Sequence, residues 1–189
     1  MNSRGKRTIV ISILVAVIVI VAVVLALNNQ FSFQRTETLF IYNGDGIDYT
    51  LDTLSQIHIS GDLNLHEKLQ IVADSLSERA FKGLPIDVLS IDTLDDKTIA
   101  TVNLDEFEGE NFNAMKFRGP KWLGGYFEGS TGGWCTSIAV SFTLLQPDYQ
   151  GDWIDGINVL YRNKQPNTDH FGIGDNSLRE NLKYEQWGW

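Results

Sequence analysis

The chain has 189 residues, with 15 Lys and Arg against 24 Asp and Glu, a formal net charge of −9. That balance argues against nucleic acid as a partner, and against adhesion to anionic lipid by charge, since both surfaces select basic patches. Cys135 is the only cysteine, so no internal disulfide is available and stability has to come from packing.

Arg4, Lys6 and Arg7 precede Thr8–Leu27, a run without charge in which only Thr8 and Ser12 are polar. At about 1.5 Å per residue, such a helix matches a hydrocarbon core of roughly 30 Å. The cations on its amino-terminal side place residues 1–7 in the cytoplasm as a basic stub and the rest of the chain across the membrane. A cleaved signal peptide would have an apolar region of about 7–15 residues and a small-x-small cleavage site. Ala26-Leu27-Asn28 is a poor one, which favours an uncleaved signal anchor. Beyond residue 27 the chain carries 12 basic and 24 acidic residues, a net of −12, and is long enough for one core.

Residues 28–37 read as a stalk, and Thr38–Tyr42 (TLFIY) as a first strand, closed by a tight turn at Asn43-Gly44-Asp45-Gly46. The turn lacks the oxygen spacing and final bidentate Glu of a calcium loop. Leu54–Ile59 alternates weakly and is a further candidate strand. From Asn64 the period becomes helical. Leu65, Leu69, Val72, Ala73, Leu76 and Ala80 fall on one stripe, Asn64 can cap the first turn, and Gly83 followed by Pro85 stops the helix. Then the period becomes two. Val88–Leu94 sets Leu89 and Ile91 on one side, Thr98–Leu104 sets Ala100, Val102 and Leu104 on one side, and Asp95-Asp96-Lys97 is the turn between them.

The stretch 105–134 interleaves seven glycines with Phe107, Phe112, Phe117, Trp122, Tyr126, Phe127 and Trp134. Linkers are polar, so a loop this aromatic either folds back over the core or forms a contact surface for a protein, peptide or glycan. On the second reading Trp122, Tyr126, Phe127 and Trp134 are the binding anchors, because large rigid aromatics dominate interface energetics. It is not a phosphate loop: no GxxxxGK[ST] is present, and Lys116, Arg118 and Lys121 stand away from any helix start. Thr136–Gln146 is a nearly apolar helix stopped by Pro147, and Ile157–Tyr161 is a strand followed by a turn at Asn163–Pro166. The tail, 167–189, carries Trp187 and Trp189. The expected fold is therefore α+β, a two-layer helix-on-sheet domain over 38–166 of order β-α-β-β-α-β, preceded by one transmembrane helix.

That order, with TLFIY at 38–42, SLSERAFKGLP at 75–85, VLSIDTLDDKTIATVNL at 88–104 and SIAVSFTLLQPDYQGDWIDGINVLYRNKQ at 137–165, resembles the GerM domain of spore-germination and sporulation proteins. The resemblance implies an extracytoplasmic, membrane-tethered, non-enzymatic domain related to ring-building motifs that assemble laterally in envelope complexes. Its partners would be an envelope protein or a second copy, with peptidoglycan contact as a further option. Three features depart from the pattern: a single copy, an anchor helix in place of a lipid-modified cysteine, and the 105–134 insertion.

The alternative is an enzyme. Cys135 stands at the expected start of the second helix, where the macrodipole lowers a thiol's pKa, and His170 with Asp169 or Asp175 follows in the order of a transglutaminase-like cysteine hydrolase or acyltransferase. A lone cysteine beside Trp134 and before an apolar helix is more often a small core residue. His58, His66 and His170 form no metal-ligand spacing, no cofactor motif is present, and a glycosidase carboxylate pair cannot be picked out of 24 acids.

Overall fold

A computed structural model of the chain describes residues 15–24, 35–107, 112–167, 169–173 and 177–182. The chain divides into two compact units, Met1–Arg35 and Thr36–Trp189. In the first, residues 15–24 are helical, and the Val and Ile side chains among them are about half exposed. The two ends of the expected Thr8–Leu27 span lie outside the described residues. Among the described residues no helix is long and apolar enough to cross a membrane.

The second unit is α+β. Strands β1 (Thr36–Asp45) and β2 (Thr50–Ser60) pair antiparallel in a sheet of their own. Helix α1 (Leu65–Ala80) leads to β3 (Ile86–Leu94) and β4 (Lys97–Leu104), and helix α2 (Ser130–Leu145) leads to β5 (Gly156–Tyr161) and the two-residue β6 (Ser177–Leu178). The second sheet has the order β3-β4-β5-β6, with β5 parallel to β4. The expected β-α-β-β-α-β order thus gains β2 and β6, and the first strand sits apart from the main sheet. The 166 boundary moves as well, because Phe171 and Ile173 are buried and β6 pairs with β5. Of the expected 28–37 stalk, residues 28–34 lie outside the described residues, and Thr36 and Glu37 belong to β1, with Glu37 buried and bonded to the Lys68 ammonium at 2.7 Å.

β1 takes in Asn43, Gly44 and Asp45 of the expected Asn43–Gly46 turn and leaves Gly46 in the reversal. A Cβ on Gly44 would lie 2.9 Å from the Cys135 Cα and from the Trp134 ring, so this glycine lets α2 approach the strand. The chain reverses three residues later, where Asp45 Oδ1 accepts the Ile47 N–H at 2.7 Å and Tyr49 takes φ +53°.

α1 forms as its spacing predicts. The Asn64 side chain accepts the Glu67 N–H at 3.0 Å while the Glu67 carboxylate accepts the Asn64 N–H at 3.0 Å, a reciprocal capping box. Leu69, Val72, Ala73 and Leu76 are fully buried, and Gly83 takes φ +82° beyond the last turn. In the β3–β4 hairpin Asp95 and Asp96 both have positive φ, and Lys97 belongs to β4. The expected Leu89/Ile91 face does not form. A bulge between Val88 and Ser90 turns Leu89 outward, 48 % exposed, so that Val88 and Ile91 point the same way across it.

α2 starts at Ser130, six residues before the expected Thr136, because Gly132 and Gly133 read as loop residues. Gly133 is there to admit another chain: its Cβ would lie 2.1 Å from the His170 carbonyl oxygen. One core joins both sheets, with Leu39 and Ile41 of β1, Leu69 and Leu76 of α1, Ala100 and Val102 of β4, Val140 and Leu144 of α2 and Val159 of β5.

Candidate functional site

β4 ends at Leu104, and the chain turns through Asp105 into Glu106, which is buried. Glu106 Oε1 accepts three hydrogen bonds, from the N–H groups of Trp122 (3.0 Å) and Leu123 (3.1 Å) and from the Tyr161 hydroxyl (2.9 Å). Oε2 is buried with no partner among the described residues. Burial raises the Glu106 carboxyl above its usual range, against the pull of those donors and of Arg162. Burial and the neighbouring Glu106 likewise push the Tyr161 phenol upward. One carboxylate therefore pins the 105–134 segment to β5.

What it pins is a wide turn, Trp122–Tyr126, closed by the Tyr126 N–H on the Lys121 carbonyl (3.1 Å) and the Phe127 N–H on the Trp122 carbonyl (2.9 Å). Trp122 fills the space beneath, 4.6 Å from Phe81 and 5.6 Å from Phe127 between ring centres, with its indole N–H on the Asp105 carbonyl at 2.9 Å. Above the turn lies an open cleft of about 500 Å³, lined by Lys82, Arg118, Lys121, Gly124, Gly125 and Tyr126 among others. The Lys121 ammonium donates to the carbonyls of Ala114 (2.6 Å) and Phe117 (3.4 Å). Its side chain crosses the two glycines closely: a Cβ on Gly125 would sit 3.1 Å from Lys121 Cγ, and one on Gly124, where φ is +74°, 3.5 Å from Cε.

Elsewhere on the domain some cations are engaged, while Arg79, Lys116 and Lys164 are exposed and have no carboxylate partner among the described residues. Lys68 pairs with Glu37 at 2.7 Å, Lys97 with Glu180 at 2.6 Å, and Arg179 donates to the carbonyls of Gln146 and Tyr149. Lys82 and Arg118 are exposed, and among the described residues neither has a carboxylate partner. The cleft gathers three cations, Lys82, Arg118 and Lys121, none of which has a carboxylate partner among the described residues.

The four expected anchors separate. Trp122 and Phe127 are core residues, 0 % and 2 % exposed, so neither can touch a partner. They are inward because the insertion folds back over the sheet, where the Phe127 ring packs on Phe171, tilted, at 4.5 Å between centres. Tyr126 is half-buried and lines the cleft. Trp134 lies against Tyr49, 5.2 Å between ring centres, on the side of α2 that faces β1. The residue missed from sequence is Lys82, left-handed at φ +56° just past α1. Its only local signal is a lysine beside a helix-stopping glycine, and nothing in the sequence joins it to Arg118.

The alternative catalytic set also separates. Cys135 lies in the second turn of α2 rather than at its start, so it lacks the N-terminal dipole. Burial, then Asp45, raises its thiol above the usual range. A Cβ on Gly46 would meet its Sγ at 3.2 Å, which places the thiol toward the β1–β2 turn. His170 packs on Gly133, two residues and about 200° round the helix from Cys135. His170 and Asp169 line a second cleft, with Glu128 and Asn167. Asp175 lies outside the described residues. No group of three or more metal-ligating side chains converges among the described residues.

Protein-family models, curated proteins and solved structures were each compared with the chain, and none matches it.

Proposed function

We propose that the chain is a membrane-tethered binding and assembly module, anchored through Thr8–Leu27 with its amino terminus in the cytoplasm, that presents the Thr36–Trp189 domain to an anionic partner in a bacterial cell envelope. The anchor follows from an uncharged apolar run of bilayer length behind three cations. The envelope setting, and a process such as sporulation or germination, come from the resemblance to GerM domains. The observation that carries the binding reading is the cleft over the Trp122–Tyr126 turn, where Lys82 and Arg118 have no carboxylate partner among the described residues and Lys121 is held in place. Unneutralised cations on a rigid, partly aromatic surface favour recognition of negative charge.

A photo-crosslinking residue at Pro120, in the full chain in its own membrane, tests this. The expected result is a discrete light-dependent adduct that disappears in Lys82→Glu/Arg118→Glu. No adduct, or one indifferent to the charge reversal, would overturn the reading. Protease added outside intact spheroplasts should digest the domain, and protection there would overturn the topology.

A further inference from the structure

The cleft draws its charge from separate parts of the chain: Lys82 from the end of α1, Arg118 and Lys121 from the two sides of Pro120. An ammonium has three protons, and the carbonyls of Ala114 and Phe117 hold two of those on Lys121, leaving one directed elsewhere. This lysine is therefore a fixed charge, already desolvated in part, with little rotamer freedom left to lose on binding. Gly125 helps keep it so, because a side chain there would press on the Lys121 stem.

Three cations lining one cleft favour an anion of more than one charge. A lone carboxylate brings one charge and two oxygens, and one arginine fork satisfies it. A phosphate monoester brings about two charges and three acceptor oxygens on a single tetrahedral centre, so it can face all three cations together. The space, about 500 Å³, exceeds what a phosphate needs and leaves room for an organic group beside the Tyr126 ring. No helix N-terminus takes part. Resting on the binding reading above, we infer that this cleft holds the phosphate group of a small phosphate ester, with Arg118 gripping two oxygens and Lys82 and Lys121 neutralising the remainder.

The test is thermal unfolding of the full chain in nonionic micelles, with inorganic phosphate as the probe at fixed ionic strength and pH 7.5. At about ten times its Kd, phosphate should raise Tm by about 3 °C, while acetate and a short Asp/Glu peptide should not. Lys82 and Arg118 are exposed, so Lys82→Gln and Arg118→Gln should keep the ligand-free Tm and lose most of the shift. No phosphate shift, an equal shift with acetate or the peptide, or a shift surviving in both variants would overturn the inference. Glycerol 3-phosphate in solution and phosphatidylglycerol doped into the micelle separate the sources. A shift with the first assigns a free ester, one seen only with the second a lipid headgroup, and either supports phosphate recognition. An adduct at residue 120 without a phosphate shift would remove the phosphate and keep the partner. A phosphate shift without an adduct would do the reverse.

Discussion

The Gln146 side chain pairs with the backbone of Phe40 as a neighbouring strand would. Its Oε1 accepts the Phe40 N–H at 2.9 Å and its Nε2 donates to the Phe40 carbonyl at 2.6 Å. Thr143 extends the pattern by accepting the Tyr42 N–H at 2.9 Å. Gln70 does the same for β3, accepting the Val88 N–H at 2.8 Å and donating to the Ile86 carbonyl at 3.0 Å. Each helix thus lends a side-chain amide to a sheet edge that has no strand beside it. Gln146 is 1 % exposed whereas Gln70 is only half-buried, so their removal should differ. Gln146→Ala empties a buried position and unpairs the part-buried Phe40 N–H and carbonyl, which should cost about 2–3 kcal/mol, while Gln70→Ala should cost about 1 kcal/mol, because water reaches its half-buried position. Urea unfolding of the detergent-solubilised chain reads both.

Glu106 sets a pH dependence. In the unfolded chain its carboxyl ionises in the ordinary range, and burial in the fold makes it hold its proton to higher pH. Between those two values the folded state binds more protons than the unfolded state, so stability falls as pH rises through the window. Asp87 shifts the same way, through desolvation and then the charges of Asp105 and Asp74, so it shares the slope. Glu106→Gln should therefore flatten the fall without abolishing it. Glu106→Ala, which orphans the Trp122 and Leu123 amides and the Tyr161 hydroxyl, should cost roughly 3 kcal/mol or more.

Two adjacent glycines in α2 should respond oppositely. Nothing lies closer than 3.8 Å to a Cβ on Gly132, so Gly132→Ala should stabilise by about 0.5–1 kcal/mol through helix propensity alone. Gly133→Ala would drive a methyl into the His170 carbonyl and should destabilise by about 2 kcal/mol or more, as an overpacked site does. Equal melting shifts would mean that His170 does not lie on the helix.

Cys135 should behave as a structural thiol. With its pKa raised by burial and by Asp45, its alkylation rate should climb through pH 7 and 8 without a plateau. A plateau below about pH 7 would mean a thiolate, which this environment does not stabilise.

How much of this was legible in the sequence depended on whether the cause was local. Asn64 and Glu67 announce the start of α1 because a capping box needs only residues three apart. Gly83 announces its end, since a left-handed stop is a property of one residue. Gly44 and Gly133 misled for the complementary reason: they are glycines because a distant segment comes close, and sequence read locally takes such residues for turns. The β3 bulge shifts the alternation at Leu89, so a strict period of two assigned the wrong face. At the site, Trp122 and Tyr126 stood out as aromatic, but which of them is interior depends on Glu106 and Tyr161, which lie 16 and 39 residues from Trp122 in opposite directions along the chain.

The contact of His170 with Gly133 bears on how the domain comes into being. β1, the first strand made, packs on α2, and the aromatic layer beneath the insertion is completed by Phe171. The interior is therefore sealed by contacts between segments far apart in the sequence, and a fold rich in such contacts forms slowly. Closing this core is the step that should set the pace of refolding.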